Sequence, residues 1–279
     1  MEVFEMPVIA DHFSMFIIGD IHKGNANHNR KAFKKAVAMI KAAQDERVVK
    51  TAVNGDVVDC INTTDPRFNP AEIDPAYTIR DLKDLPRKQA DTFLDDVEPI
   101  MDTFTGAPAT IGNHCESYIK RGFFDVYDYY SKEIGVVKVG KFGLGKVRVA
   151  SKSGTRRISL DVAIMHGQGG GGGKLPGYSV NFAYDRLQKY HFNAGFVGHI
   201  HKLDCRPIDM YGINAGLKPK RFRKWYCVTG CFLELHEEGN TNYFEGKPGQ
   251  LSDIGFVELR IDRNHDGWKW EVVKHDLSE

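Results

Sequence analysis

Five times along this chain a strand-like apolar run gives way at once to a glycine beside Asp, Asn or His. The clusters are Gly19-Asp20-Ile21-His22, Gly55-Asp56-Val57-Val58-Asp59, Gly112-Asn113-His114, Met165-His166-Gly167 and Gly198-His199-Ile200-His201. The runs before them are Met15 to Ile18, Val48 to Val53, Ala107 to Ile111, Ile158 to Met165 and Gly195 to Val197. Ligands of open α/β sheets bind outside the carboxyl ends of the strands, and glycine there lets the backbone turn and come close. Five strands that end this way predict one polar rim assembled from distant parts of the chain.

The segments between them set the architecture. Asn29 to Glu46 reads as an amphipathic helix, with Phe33, Val37 and Ile40 on one face and Arg30, Lys31, Lys34 and Lys35 among the basic residues elsewhere. Asp65-Pro66, Asn69-Pro70 and Asp74-Pro75 punctuate a long loop, and loops of that length tend to be functional or mobile. Thr78 to Phe104 reads as helix interrupted by Pro86 and Pro99. Glu116 to Glu133 reads as a further helix. Later, Val147 to Ala150, Trp225 to Val228, Phe256 to Ile261 and Trp268 to Val273 are short strands, and Tyr178 to Tyr190 is the one clear helix. Strand–helix alternation followed by clustered strands predicts sheets packed together with helices outside. No linker divides the chain, so the expectation is a single domain over 1–279 with an insertion at about 60–105.

Composition excludes several classes. The hydrophobic share of 42% supplies a large core, and 38 basic against 37 acidic residues argue against a generally polycationic nucleic-acid binder. No apolar stretch approaches the ~20 residues of a membrane helix. Met1 to Phe13 has no basic leader before its apolar residues, unlike a signal peptide. Five cysteines, an odd and sparse count, suit a reduced, cytoplasmic protein without membrane partners.

The rim residues are metal-ligand types. Asp20 and His22 stand two apart, as do His199 and His201, and in extended chain such residues face the same side. A mixed set of carboxylate, imidazole and amide suits Mn, Fe or Zn better than Ca or Mg. Asp20, His22, Asp56, Asn113, His166, His199 and His201 make seven candidates. One tetrahedral zinc takes four, so seven imply two ions sharing a carboxylate. A lone Asp-x-His or Gly-Asn-His is as readily a turn; five clusters in sequence are not.

The set GDIH, GDVVD, GNH, MHG and GHIH, in that order from Gly19 to His201, resembles the calcineurin-like metallophosphoesterase superfamily. The resemblance implies a four-layer α/β/β/α sandwich, two mixed sheets flanked by helices, around a dinuclear metal centre. It implies that Asp20, His22 and His201 hold one ion, that Asn113, His166 and His199 hold the other, and that Asp56 bridges them. His114 would touch the phosphate and serve the leaving group. The reaction implied is attack on phosphorus by metal-activated hydroxide, with two divalent ions, manganese first and iron or zinc as alternatives. Where the family commonly has Asp or Glu after the histidine, this chain has Cys115 and then Glu116. Cys115 reads as a small buried side chain, and Glu116 as the substitute acid that orients His114.

Other signals are weaker. Gly169 to Gly173 followed by Lys174 departs from the Walker pattern at Gln168 and Leu175, although Lys174 stands near His166 in sequence as a candidate phosphate contact. Asp262 to Gly267 resembles an EF-hand opening, but Val273 at the twelfth position and strand-like flanks favour a hairpin turn at Asp266-Gly267. Cys227 and Cys231 lack a second pair at zinc spacing and read as core or strand residues. Lys218, Lys220, Arg221, Arg223 and Lys224, with Phe222, Trp225 and Tyr226 beside them, read equally as a nucleic-acid track or as a solvated loop entering a strand. The track reading makes Lys220, Arg221 and Arg223 substrate-binding candidates and favours a phosphodiesterase, specifically a nuclease. A phosphomonoesterase acting on a phosphoprotein, nucleotide or small molecule is the alternative. A non-catalytic scaffold stands behind both, since fold does not fix function.

Overall fold

The computed structural model describes residues 1–169, 177–213, 216–234 and 252–278. In chain order the elements are β1 (Glu2–Ile9), β2 (His12–Ile18), α1 (Arg30–Ala43), β3 (Val48–Asn54), α2 (Leu85–Val97), α3 (Met101–Phe104), β4 (Pro108–Thr110), α4 (Asn113–Lys120) and α5 (Val126–Ile134). They continue with β5 (Val137–Lys138), β6 (Phe142–Ala150), β7 (Arg157–Met165), α6 (Tyr178–Leu187), β8 (Ala194–Val197), β9 (Leu203–Ile213), β10 (Pro219–Thr229), β11 (Gly255–Asn264) and β12 (Gly267–Asp276).

Strand β2 shows why these elements stack. Phe13, Met15 and Ile17 point to one face, Phe16 and Ile18 to the other, and all five are buried. A strand apolar on both faces belongs inside a sheet covered on both sides. The first sheet accordingly has the order β12-β11-β2-β3-β4-β5, with β2 parallel to β3 and antiparallel to β11. The second sheet, β1-β6-β7-β8-β10-β9, is also mixed. Phe13, Met15 and Ile17 meet Val147, Leu160, Val162, Ile164 and Phe196 in an apolar slab between the sheets. On the other side, Phe16, Ile18 and Val53 pack under Phe33 and Ile40 of α1, Phe93 and Val97 of α2, and Tyr130 of α5. Phe182, Ala183 and Leu187 of α6 cover Ala163, Val197, Tyr226 and Val228 of the second sheet. These are the four layers α/β/β/α.

Some elements differ from the sequence expectation. Glu116 to Glu133 is two helices: the chain breaks at Gly122, whose φ is +82°, and restarts where the Asp125 side chain accepts from Asp128 N. Pro86 sits in the first turn of α2, where its missing N–H costs little, and Pro99 falls in the 3-10 turn that follows. Strand β1 is hidden in the sequence because Val3 and Ile9, on its exposed face, blur the alternation of buried Phe4, Met6 and Val8. Strand β9 contains Pro207, which an edge position tolerates. The β11–β12 hairpin pairs Asn264 with Gly267, so its loop is His265-Asp266, one residue earlier than expected.

The segment 60–105 divides in two. Its second half sends Phe93, Val97, Ile100 and Phe104 into the core beneath α1. Its first half is stitched to the loop after His22: Ala26 N donates to Glu72 O and Asp74 N to Gly24 O. Among the described residues no helix is long and apolar enough to cross a membrane.

Candidate metal centre

The backbone turns sharply where β2, β3 and β8 end. Asp20, His22, Asp56, His199 and His201 all adopt left-handed φ, at 48°, 50°, 43°, 80° and 52°. For residues with a side chain this costs on the order of 1–3 kcal/mol each, and such strain gathers at functional sites. The glycines work by absence. A Cβ on Gly112 would lie 2.0 Å from Asp56 Oδ1, and one on Gly55 would lie 2.4 Å from His166 Nδ1. The carboxylate and the imidazole therefore rest against bare backbone.

All seven candidate ligands converge. Asp20, His22 and His201 bring ligand atoms within 4.8 Å of one another, as do Asp56, His166 and His199. His22, Asp56 and His114 form a third such group that joins the other two. Asn113 Oδ1 lies 3.0 Å from His166 Nε2 and 2.9 Å from His199 Nδ1. Both main groups draw on both sheets. Asp20 and His22 follow β2, Asp56 follows β3 and Asn113 opens α4 after β4, all from the first sheet; His166 follows β7, and His199 and His201 follow β8, from the second.

The histidines are oriented by what lies behind them. His166 Nδ1 donates to Asn54 O at 2.8 Å, which turns Nε2 towards Asp56 Oδ2 at 2.9 Å. His199 Nε2 donates to Gly169 O at 3.1 Å, which turns Nδ1 inward. His22 Nδ1 faces Asp59 Oδ1 at 3.3 Å, and its Nε2 meets His201 Nε2 at 3.2 Å. A carbonyl or carboxylate behind the imidazole is the usual second partner of a metal-binding histidine, because it fixes the tautomer. His114 Nδ1 lies 2.7 Å from Asp59 O and 3.5 Å from Asp59 Oδ1.

The carboxylates are held as anions. Burial pushes Asp56 up, but His166 and His114 hold it well below the usual carboxylate range. Asp20 is pushed up by burial and brought below its ordinary value by His166 and His201. Burial lowers His166, yet Asp56 and Asp20 outweigh it and bring the pKa to about 10; the same two carboxylates would draw a cation, which would displace that proton from Nε2. Burial keeps His22 and His199 low, hence neutral and able to donate a lone pair. Asp20 Oδ2 accepts from His199 N, whereas Oδ1 is fully buried and accepts no hydrogen bond. A buried carboxylate oxygen without a donor, facing two imidazole nitrogens at 3.4 and 4.0 Å, fits a cation. The residues present therefore suit divalent ions in both groups.

Two residues carry more than their sequence signal. Asp59, the last position of GDVVD, lies behind both His22 and His114. Asn54, just before Gly55, supplies the carbonyl behind His166 and ties β3 to Thr110 through its side chain. Glu116 does not orient His114. Because α4 opens at Asn113, two residues of helix turn Glu116 away, and it pairs with Lys120 and Lys141 instead. Cys115 is buried as expected, with its sulfur 3.5 Å from that of Cys60.

Lys220, Arg221 and Arg223 are not brought to the rim. Lys174 lies outside the described residues. Lys220, Arg221 and Arg223 sit on the β9–β10 ribbon. Strand β10 runs parallel to β8, pairing Trp225 with Ala194 and Val228 with Val197, so residues before 225 run away from His199. At 3.3 Å per residue, Arg221 stands about 23 Å along the strand from the level of Val228. Arg221 and Arg223 are moreover ion-paired with Asp209. Parallel pairing thus removes the basic segment from the site.

No family model matches the chain, and no curated relative is found. Solved structures align over most of its length. Vacuolar protein sorting 29 of Cryptosporidium parvum is 12% identical with a TM-score of 0.40, covering 95% of this chain and 98% of that one. A metallophosphoesterase of Sphaerobacter thermophilus is 13% identical with a TM-score of 0.36, covering 95% and 89%. A predicted phosphoesterase of Streptococcus pneumoniae is 9% identical with a TM-score of 0.33, covering 94% and 88%. Likenesses this distant carry no functional argument, and the reading of the site rests on its own residues.

Proposed function

We propose that this chain is a phosphoesterase that works with a pair of divalent cations. The supporting observation is the orientation of the histidines: His22, His166 and His199 each engage one ring nitrogen with an oxygen behind them and turn the other to a centre shared with Asp20, Asp56 and Asn113. Asp20, His22 and His201 would hold one ion, and Asn113, His166 and His199 the other, with Asp56 between them. Manganese, iron or zinc suits this nitrogen–oxygen set. When bound, such a pair neutralises phosphate oxygens and lowers the pKa of water.

The remaining chemistry belongs to the chain. His114, in the first turn of α4, points Nδ1 at Asp59 O, which leaves Nε2 to donate a proton to the departing oxygen. His114 N donates to Asp56 Oδ1 at 3.0 Å, so one residue positions both the bridging carboxylate and the acid. The basic ribbon does not support a nucleic-acid substrate, because it lies at the other end of the sheet.

The test compares a chromogenic phosphodiester with its monoester on Mn²⁺-loaded protein, with Asp56→Asn as the blank. We expect metal-dependent turnover that Asp56→Asn lowers about a thousandfold. The preferred ester assigns the protein to diesterases or phosphatases. Folded, metal-loaded protein that hydrolyses neither ester overturns the enzyme reading in favour of a scaffold.

A further inference from the structure

The segment after Asp59 carries a second charged cluster that this chemistry does not use. Asp65 is only 5% exposed, and two arginines meet it. Arg67 grips it as a fork, Nε to Oδ1 at 3.1 Å and Nη2 to Oδ2 at 3.1 Å, while Arg121, just past α4, donates from Nη2 to Oδ2. Burial pushes Asp65 up, but Arg67 and Arg121 hold its pKa at about 2, so it stays ionised. Two guanidiniums against one carboxylate leave one positive charge over. Arg121 spends Nε on Ser117 O and Nη2 on Asp65, whereas Arg67 meets Asp65 along its Nε–Nη2 edge and keeps its Nη1 end for another acceptor. The Arg67 and Arg121 side chains remain 37% and 27% exposed.

The cluster is tied to the rim along two paths. One segment leaves the rim at Asp59 and reaches Asp65; the other, α4, leaves at Asn113 and reaches Arg121. They are joined near the rim by His114 and Asp59 and at the far end by Arg121 and Asp65. The cluster therefore stands about one length of α4 from the rim, ~12 Å at 1.5 Å per residue. The charges of Asp59 and Asp56 still reach Arg67, raising its pKa further after the effect of Asp65 itself.

We infer that Arg67 and Arg121, held on Asp65, form a second anion subsite of the same active site and bind a further phosphate of the substrate. The inference rests on the phosphoesterase reading and narrows it: the substrate carries two phosphates, one at the rim and one about an α4 length away. The Nη1–Nη2 end of Arg67, left outward by the Asp65 contact, matches phosphate oxygens in geometry, and Arg121 adds charge beside it. Asp65 is a positioning residue that keeps both guanidiniums in place.

The experiment is isothermal titration of Mn²⁺-loaded protein with octyl phosphate and with alkanediol bisphosphates of increasing chain length. One length should bind about tenfold more tightly than octyl phosphate, with weaker binding on either side. Arg67→Ala and Arg121→Ala should each reduce that ratio to about twofold. Arg67→Lys, which keeps the charge but not the fork, should give an intermediate ratio, and it serves if an alanine variant fails to fold. Arg80→Ala, an exposed arginine of the same insertion, should retain the full ratio. A flat length series, a full ratio in Arg67→Ala or Arg67→Lys, or an equal loss in Arg80→Ala overturns the inference. If neither probe binds, the phosphoesterase reading falls, and this subsite falls with it.

Discussion

The rim and the β9–β10 ribbon both concentrate charge, and they treat it in opposite ways. At the rim the Asp20 and Asp56 side chains are 0% and 2% exposed. On the ribbon the Arg221 and Arg223 side chains are 54% and 46% exposed and share Asp209. Burying an ion costs several kcal/mol unless partners are arranged around it, whereas an exposed pair is nearly neutral in energy. The rim also places five ligands on left-handed backbone, while the ribbon pairs in regular register from Pro219–Ile213 to Thr229–Leu203. Charge density in a sequence thus does not locate a site. Charge held against its preference for water, on backbone held against its preference for extension, does.

This contrast can be broken at graded cost. Gly112→Ala adds one methyl group where Asp56 rests and should lower turnover of the chromogenic ester about a hundredfold, the usual result of displacing a reacting group by an ångström. Unchanged turnover would mean that Asp56 need not sit where it does. Asp59→Asn should cost about 10–100-fold in turnover or in Mn²⁺ affinity, because it weakens the support behind His22 and His114; titration with Mn²⁺ separates the two effects. For metal-free protein in urea, His199→Gly should be about 1 kcal/mol more stable than His199→Ala, since φ is 80° there. At Tyr211, in the extended ribbon, the order should reverse, with Ala the more stable. Lastly, exchanging Lys220, Arg221 and Arg223 together for Gln should change small-ester turnover by less than about twofold, because they stand well beyond one Debye length from the rim. A tenfold fall would return the ribbon to the active site.

Much of the rim was legible because strand ends announce themselves locally. Asp20, His22, Asp56, Asn113, His166, His199 and His201 each stand beside the glycine or the apolar run that positions them. Packed sheets with helices outside could be read from strand–helix alternation followed by clustered strands, and the four layers from the family resemblance. What stayed hidden depends on pairing at long range. The direction of β10 follows from its bonds to β8, some thirty residues earlier, and nothing within 218–224 reports it. The support of His114 by Asp59 rather than Glu116 depends on where α4 begins, and sequence placed that start too late. Strand β1 was lost because a sheet face open to solvent accepts Val3 and Ile9 as readily as polar residues.

The rim also takes its ligands from two separate sheets. Elsewhere those sheets meet through the apolar slab of Phe13, Met15, Ile17, Val162, Ile164 and Phe196 and its neighbours, crossed by polar contacts such as Asn54 Nδ2 to Thr229 Oγ1. Cations gripped from both sides would act as rivets through the laminate. Their loading should then slow amide hydrogen exchange in β2, β3, β7 and β8 along their length, and their chelation should release the sheets to slide.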